Sequence, residues 1–110
     1  MAQLPLNRFQ TETLVITTSE QTIYTTPTGY TAIVLYAHIS NYGSVDSTVT
    51  MSHVRGVTST EIINGANVPI NDAFIPISGK LVLETSDSIK ILASQNNTLK
   101  VILSILETAN

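Results

Sequence analysis

The sequence predicts an all-β domain of about eight short antiparallel strands, folded as a sandwich or a small barrel. Three observations carry this expectation. Apolar runs are short and rich in Val, Ile and Thr, and turn signals recur roughly every 8–12 residues. No stretch sustains the 3.6-residue period of an amphipathic helix. The last third of the chain is the clearest case. Its runs 79–84, 89–94 and 98–107 are separated by the turn clusters Thr85-Ser86-Asp87-Ser88 and Gln95-Asn96-Asn97. This pattern reads as a three-stranded antiparallel meander.

Residues 1–12 do not alternate, and Pro5 favours an extended path. They read as an N-terminal arm whose Leu4, Leu6 and Phe9 are exposed unless they dock on their own domain or a neighbour. The single domain then begins at residue 13. Strands are expected over 13–18 and 21–26, with Pro27-Thr28-Gly29 as a turn in which Pro presets φ and Gly accepts a left-handed conformation. The run 30–41 is the longest candidate. Ile33, Leu35, Ala37 and Ile39 share one parity and Val34, Tyr36, His38 and Ser40 the other, so the strand is expected to be central.

After the break at Asn41-Tyr42-Gly43-Ser44, Val45, Val49 and Met51 share a parity up to the end signal His53-Val54-Arg55-Gly56. Asn64-Gly65, between 60–63 and 66–70, has the composition of a type I′ hairpin turn. Pro69 lacks an amide hydrogen, which puts its strand at an edge or at its end. Residues 71–78 read as a linker with apolar plugs that can cross between two sheets. In the last run, Leu99, Val101, Leu103 and Ile105 form a wholly apolar face. Lys100, Ile102, Ser104 and Leu106 form the other, polar at one end and apolar at the far end. A strand with one solvated face should alternate cleanly, so Ile102 and Leu106 are expected to be covered by a loop, the arm or another subunit.

Composition bounds the function. At 110 residues, with no Cys, the chain is one domain without disulfide or thiolate chemistry. Its net charge is -3 and only 12% of its residues are charged. Ser and Thr make up roughly a quarter of it and supply much of the polar surface. Such a surface is easily desolvated against a partner, because few ions must be buried. The start has neither the charged n-region nor the apolar h-region of a signal peptide. The longest apolar run, Ala32 to Ala37, is far short of a membrane-spanning helix. Five scattered basic residues make no nucleic-acid patch. No partner of either kind, membrane or nucleic acid, is expected.

No catalytic, cofactor-binding or metal-ligating residue is nominated. No G-x-S-x-G elbow surrounds any Ser. His38 and His53 lie on strands expected to be neighbours, yet a metal there would lack a third ligand. Asp46, Asp72 and Asp87 sit in turns without a calcium-loop pattern and read as Asx-turn residues bonding their own backbone. A glycan-binding face would usually show aromatics; there is no Trp, and Tyr24, Tyr30, Tyr36 and Tyr42 are partly committed to strands. An enzyme is not expected.

Three stretches together carry a resemblance: Ile23-Tyr24-Thr25-Thr26-Pro27-Thr28-Gly29-Tyr30-Thr31-Ala32-Ile33-Val34 with Ile39-Ser40-Asn41; then Pro76-Ile77-Ser78-Gly79-Lys80-Leu81-Val82-Leu83-Glu84; then Asp87-Ser88-Ile89-Lys90-Ile91-Leu92-Ala93-Ser94 ending in Ser104-Ile105-Leu106-Glu107. In this order, over roughly residues 21–107, the chain resembles small virion structural proteins of tailed bacteriophages. Relatives often carry Gly-Asp where Ser86-Asp87 stands, and a Ser there implies a less demanding turn. The resemblance implies a β-sandwich coat accessory. The expectation is therefore an about eight-stranded antiparallel β-sandwich, jelly-roll-like or immunoglobulin-like, with an extended N-terminal arm. Its expected role is that of a capsid decoration (cement) protein, bound to the major capsid protein or other virion proteins. It is expected to be a homo-oligomer located in a virion assembled in the host cytoplasm. A neck, tail or baseplate component, or a host-adhesion module that binds glycans, is the alternative. The nominated protein–protein interface residues are Leu4, Leu6, Phe9, Ile102 and Leu106.

Overall fold

Two antiparallel sheets face each other across an apolar interior. The computed structural model describes residues 7–77 and 79–110. Among these it shows nine strands: β1 (Asn7–Val15), β2 (Gln21–Thr25), β3 (Tyr30–Asn41), β4 (Ser47–Arg55), β5 (Thr58–Val68), β6 (Ala73–Phe74), β7 (Leu81–Leu83), β8 (Ser88–Ala93) and β9 (Leu99–Ala109). Sheet A has the order β1-β9-β3-β6, with the short β7 also on β3; sheet B has the order β2-β8-β4-β5. Apart from the pairs β4–β5 and β6–β7, consecutive strands lie in opposite sheets. This is the jelly-roll order, which decides between the two sandwich types expected. The expected all-β sandwich is therefore present, with one strand more than anticipated.

The interior is built from one parity of each strand. Leu99, Val101, Leu103 and Ile105 of β9 are all buried, as their spacing requires. They meet Val34, Ala37 and Ile39 of β3 within their own sheet and Val49, Met51, Ile89 and Ile91 of sheet B across the gap. The expectation that β3 is central also holds: it pairs with β9 on one side and with β6 and β7 on the other. The chain crosses between sheets over residues 69–72, at the start of the expected linker, and the strand before Pro69, β5, is the edge of sheet B.

Four local expectations are corrected. The chain is already a strand from Asn7, paired residue for residue with β9 up to Val15, so residues 7–12 are sheet and not arm. Of the nominated residues, Leu4 and Leu6 lie outside the described residues. Next, the last three runs are strands but not a meander. β7 joins β3, β8 lies between β2 and β4, and β9 lies between β1 and β3. Both turn clusters are arches that carry the chain from one sheet to the other. Third, Asn64-Gly65 is a bulge inside β5: the pairing shifts between Val49↔Ala66 and Met51↔Ile63, and Gly65 has φ +67°. The true hairpin turn is Gly56-Val57, flanked by the pair Arg55↔Thr58, with Gly56 at φ +59°. Positive φ at the first central residue is what a tight turn of this kind demands of glycine. Fourth, β3 does not keep one parity. Its register against β9 shifts between Val34 and Tyr36, so Ala32 and Val34 point inward before the shift and Ala37 and Ile39 after it, leaving Leu35 and Tyr36 exposed.

The arch from β7 to β8 shows how the sheets are joined. Ser86 and Asp87 exchange backbone hydrogen bonds with Thr26 at the end of β2: Ser86 N–H donates to Thr26 O at 3.0 Å and Thr26 N–H donates to Asp87 O at 2.9 Å. Ser86 sits at φ +72°. The turn is thus left-handed and demanding, contrary to the expectation drawn from a serine at this place. A side chain in this conformation costs about 1–2 kcal/mol, and a glycine loses roughly 0.5–1 kcal/mol more chain entropy on folding. Ser86→Gly should therefore stabilise the protein by about 0.5–1 kcal/mol, read as a higher urea midpoint at unchanged slope.

Candidate functional site

The outward side of sheet A carries much of the exposed apolar surface of the described residues. Residues paired across an antiparallel ladder point to the same side, so the registers assemble the outward side chains into rows. From one end these are Asn7–Thr108–Thr31, Phe9–Leu106–Ile33–Val82, Thr11–Ser104–Tyr36, Thr13–Ile102–His38 and Val15–Lys100–Ser40. Leu35, displaced by the bulge in β3, joins the middle of the face. Phe9 is 77% exposed, Val82 53% and Ile102 37%; Val15, Leu35 and Tyr36 are exposed as well. Lys100 is the one charged side chain in the five rows. On the outward side of sheet B, the row Thr22–Lys90–Ser52–Glu61 carries both signs of charge, and the next row, Thr25–Ser88–Val54–Ser59, carries none.

The face is not flat. A shallow depression of about 590 Å³ lies over Thr13, Val15, His38, Ser40, Lys100 and Ile102, and a smaller one of about 220 Å³ lies beside Phe9, Thr11, Leu35 and Ser104. Tyr36 and His38 stack with ring centroids 6.0 Å apart, and the Lys100 ammonium sits 4.3 Å over the Tyr42 ring. The exposed apolar side chains on this face are interleaved with hydroxyls.

Two clusters of ionisable groups lie inside the sandwich. The first is centred on Glu107, which continues the inward parity of β9 and is fully buried. Its Oε1 accepts from Arg8 Nε at 3.0 Å and Gln10 Nε2 at 2.5 Å and is ion-paired with Arg8 Nη2 at 2.6 Å, and its Oε2 accepts from the Tyr24 hydroxyl. Burial and the adjoining Glu107 carboxylate push the Tyr24 phenol well above its ordinary range. Arg8 also lies 4.1 Å over the Tyr30 ring. The cluster ties β1 and β9 of sheet A to β2 of sheet B.

The second cluster is centred on Asp87 in the β7–β8 arch, also buried. Its carboxylate accepts from Arg55 Nε at 2.9 Å, Arg55 Nη2 at 2.7 Å, His53 Nε2 at 3.0 Å and the Glu84 N–H at 2.9 Å. The Arg55 hydrogen bonds, seconded by His53, hold its proton affinity far below the usual carboxylate range. Every oxygen of both carboxylates is thus engaged by a donor of the fold. Among the described residues no serine or threonine hydroxyl is hydrogen-bonded to His53, so the Asp–His pair lacks a nucleophile to serve.

The structure separates the two histidines expected to face each other. His38 is on the outward face of sheet A and His53 is in sheet B, because the chain changes sheet between β3 and β4. Of the three turn aspartates, Asp72 bonds its neighbouring backbone, the Ala73 N–H, as expected. Asp46 instead accepts from the distant Ile70 N–H, and Asp87 adds ion pairs to its local bond. Of the nominated interface residues, Phe9 and Ile102 are exposed and Leu106 is half-buried, all three on the outward face. No described residue covers Ile102, so the expected second cover is not supplied by residues 7–77 and 79–110. Val82, Leu35 and Val15 were missed as members of this face. Val15 and Val82 follow from strand alternation once the register is known, whereas Leu35 owes its exposure to a bulge. Glu107 could have been found: it is the one charged residue in an otherwise apolar parity.

No protein-family model matches the chain, and no curated protein matches it. Among solved structures, it is similar to a chain described under "Bacillus endospore appendages form a novel family of disulfide-linked pili". That match has a TM-score of 0.58 at 11% sequence identity and covers 99% of this chain and 96% of the other. Similarity at this level speaks for the fold. The disulfides of those pili have no counterpart here, where there is no Cys.

Proposed function

We propose that this protein is a non-enzymatic structural subunit that takes its place in a larger protein assembly through the outward face of sheet A. The observation that carries this reading is the face itself: five registered rows of apolar and hydroxyl side chains with a single charge. A surface of that kind gains from being buried and recognises by shape. The Glu107 and Asp87 clusters support the reading from the other side. They are closed networks that brace strands and leave no carboxylate oxygen for a substrate.

The assembly we propose is a virion of a tailed bacteriophage, with the protein as a capsid decoration (cement) protein on the assembled head. The resemblance of residues 21–107 to such virion proteins supports this setting, and a neck, tail or baseplate position remains the alternative within it. Many copies that each bind weakly would hold such a shell by multivalency. Cryo-electron microscopy of purified particles from the producing host tests the setting. Density for this chain on the head is the expected result, and its absence from head, neck and tail overturns the virion reading.

The face is tested separately. Phe9→Glu should weaken incorporation into the assembly tenfold to a hundredfold, since about 1.5–3 kcal/mol rides on burying a phenylalanine. Thr22→Glu, on the outward side of sheet B, should leave it unchanged. Equal loss for both, with both variants folded, would show that sheet A is not the contact.

A further inference from the structure

We infer that the outward face of sheet A is closed by the same face of a second copy, about a two-fold axis that runs across the strands through the row Thr11–Ser104–Tyr36. This rests on the proposed function above and names the partner of that face.

The register carries the argument. Side chains on one side of a strand repeat every ~6.8 Å, so the five rows are evenly spaced with Thr11–Ser104–Tyr36 in the centre. An axis along that row lays Phe9–Leu106–Ile33–Val82 of one copy over Thr13–Ile102–His38 of the other, and the reverse. The two rows are unlike in relief. The first holds the most protruding apolar side chain of the face, Phe9 at 77% exposure. The second holds the floor of the 590 Å³ depression, flanked by the short side chains of Thr13 and Ser40. The knob of each copy therefore falls over the hollow of the other. That is the self-complementarity an isologous contact requires: each patch serves once as knob and once as hollow.

Charge selects the axis. Lys100 is at one end of the face, in the row Val15–Lys100–Ser40. A two-fold axis along the strands would bring the two ammonium groups to the same end of the stacked sheets, where like charges oppose each other. The axis across the strands sends them to opposite ends, each over the hydroxyl and amide oxygens of Asn7, Thr31 and Thr108. Five rows over the three long strands β1, β9 and β3 cover roughly 30 Å by 14 Å, about 420 Å² before side-chain relief and Val82 of β7 are counted. That is about half of the ~800 Å² a side of a standard interface, the size of a weak, concentration-dependent dimer. Two such sheets would stack about 10 Å apart, as sheets in a sandwich do.

The chain has no cysteine, so an engineered one is its only thiol. In Ser104→Cys the thiol lies on the proposed axis and faces its own copy. In Thr108→Cys the two thiols lie about 27 Å apart, at opposite ends of the stack. Treated with a short bismaleimide, Ser104→Cys should give a covalent dimer and Thr108→Cys should not. Thr22→Cys, on sheet B, is the control for random collision. Wild type should sediment as a dimer, and Phe9→Glu should raise the dimer dissociation constant at least tenfold while melting normally. Cross-linking of Thr108→Cys but not Ser104→Cys would overturn the axis. A monomeric wild type at several hundred micromolar, with no cross-link at Ser104→Cys, would overturn the dimer. If Phe9→Glu then still lost incorporation into the assembly, the proposed use of the face would stand and only its partner would be wrong. If Phe9→Glu altered neither, both would fall.

Discussion

Glu107→Ala is expected to lower the unfolding free energy by about 3–5 kcal/mol, the range for removing one partner of a buried charge network. The carboxylate is fully buried and its two oxygens take three hydrogen bonds, from Arg8, Gln10 and Tyr24, and an ion pair with Arg8. Its loss leaves the buried Tyr24 hydroxyl without an acceptor and the Arg8 guanidinium without its counter-ion at the sandwich edge. Glu107→Leu combined with Tyr24→Phe removes the two buried members together, while the part-exposed Arg8 and Gln10 can turn to water, and it should recover most of the loss, because a well-packed apolar replacement is often neutral. Urea denaturation of the single and double variants measures both, and the non-additivity is itself the prediction. Arg8 and Gln10 come from the first strand, Tyr24 from the second and Glu107 from the last. The same variant should therefore loosen β1 selectively, seen as faster amide exchange over residues 7–15 than over β8.

Asp87→Ala should cost about 3 kcal/mol, at the low end of the same range, because Arg55 is half-exposed and can be rehydrated when its partner goes. This site also sets an acid limit. The folded state holds the Asp87 carboxyl below its ordinary value, chiefly through the Arg55 hydrogen bonds. The sign follows: a carboxylate whose folded pKa is depressed stabilises the fold above its unfolded pKa, near 3.9. That contribution falls away as the pH drops from there toward the lower folded value. Wild type should lose stability steeply below about pH 4. Asp87→Asn should start lower at neutral pH and show a flatter slope in that acid range. Parallel curves for the two proteins in thermal melts from pH 2 to 6 would contradict the assignment. The exposed Arg55–Glu84 pair contributes little, as surface pairs do, and Glu84→Gln should leave the curve unchanged.

The Glu107 network bears on the outward face of sheet A. That face has shape only if β1 stays in register with β9, since Phe9, Thr13 and Val15 all belong to β1. The Glu107 cluster is the device that holds this edge strand from its inner side, freeing its outer side to be apolar. The shape of this face thus depends on a buried charge on the other side of the sheet.

Local order was legible in the residues. The alternation Leu99, Val101, Leu103, Ile105 reveals a strand and its buried parity without any neighbour, because the side-chain period is a property of one extended chain. The short runs and turn clusters likewise announced an all-β fold. Partner choice was not legible. Thr85–Ser88 turns the chain equally well into a hairpin or into an arch, and only the packing of two sheets against each other decides that β8 pairs with β2 and β4. Asn64-Gly65 offered positive φ, which a bulge uses as readily as a hairpin. One inserted residue near Leu35 reversed the parity of half of β3, and no local pattern marks where such an insertion falls. What the chain determined by itself is which residues turn away from water along each strand. What the tertiary structure decided is which strands stand side by side, and hence that scattered apolar residues from β1, β3, β7 and β9 form one continuous face.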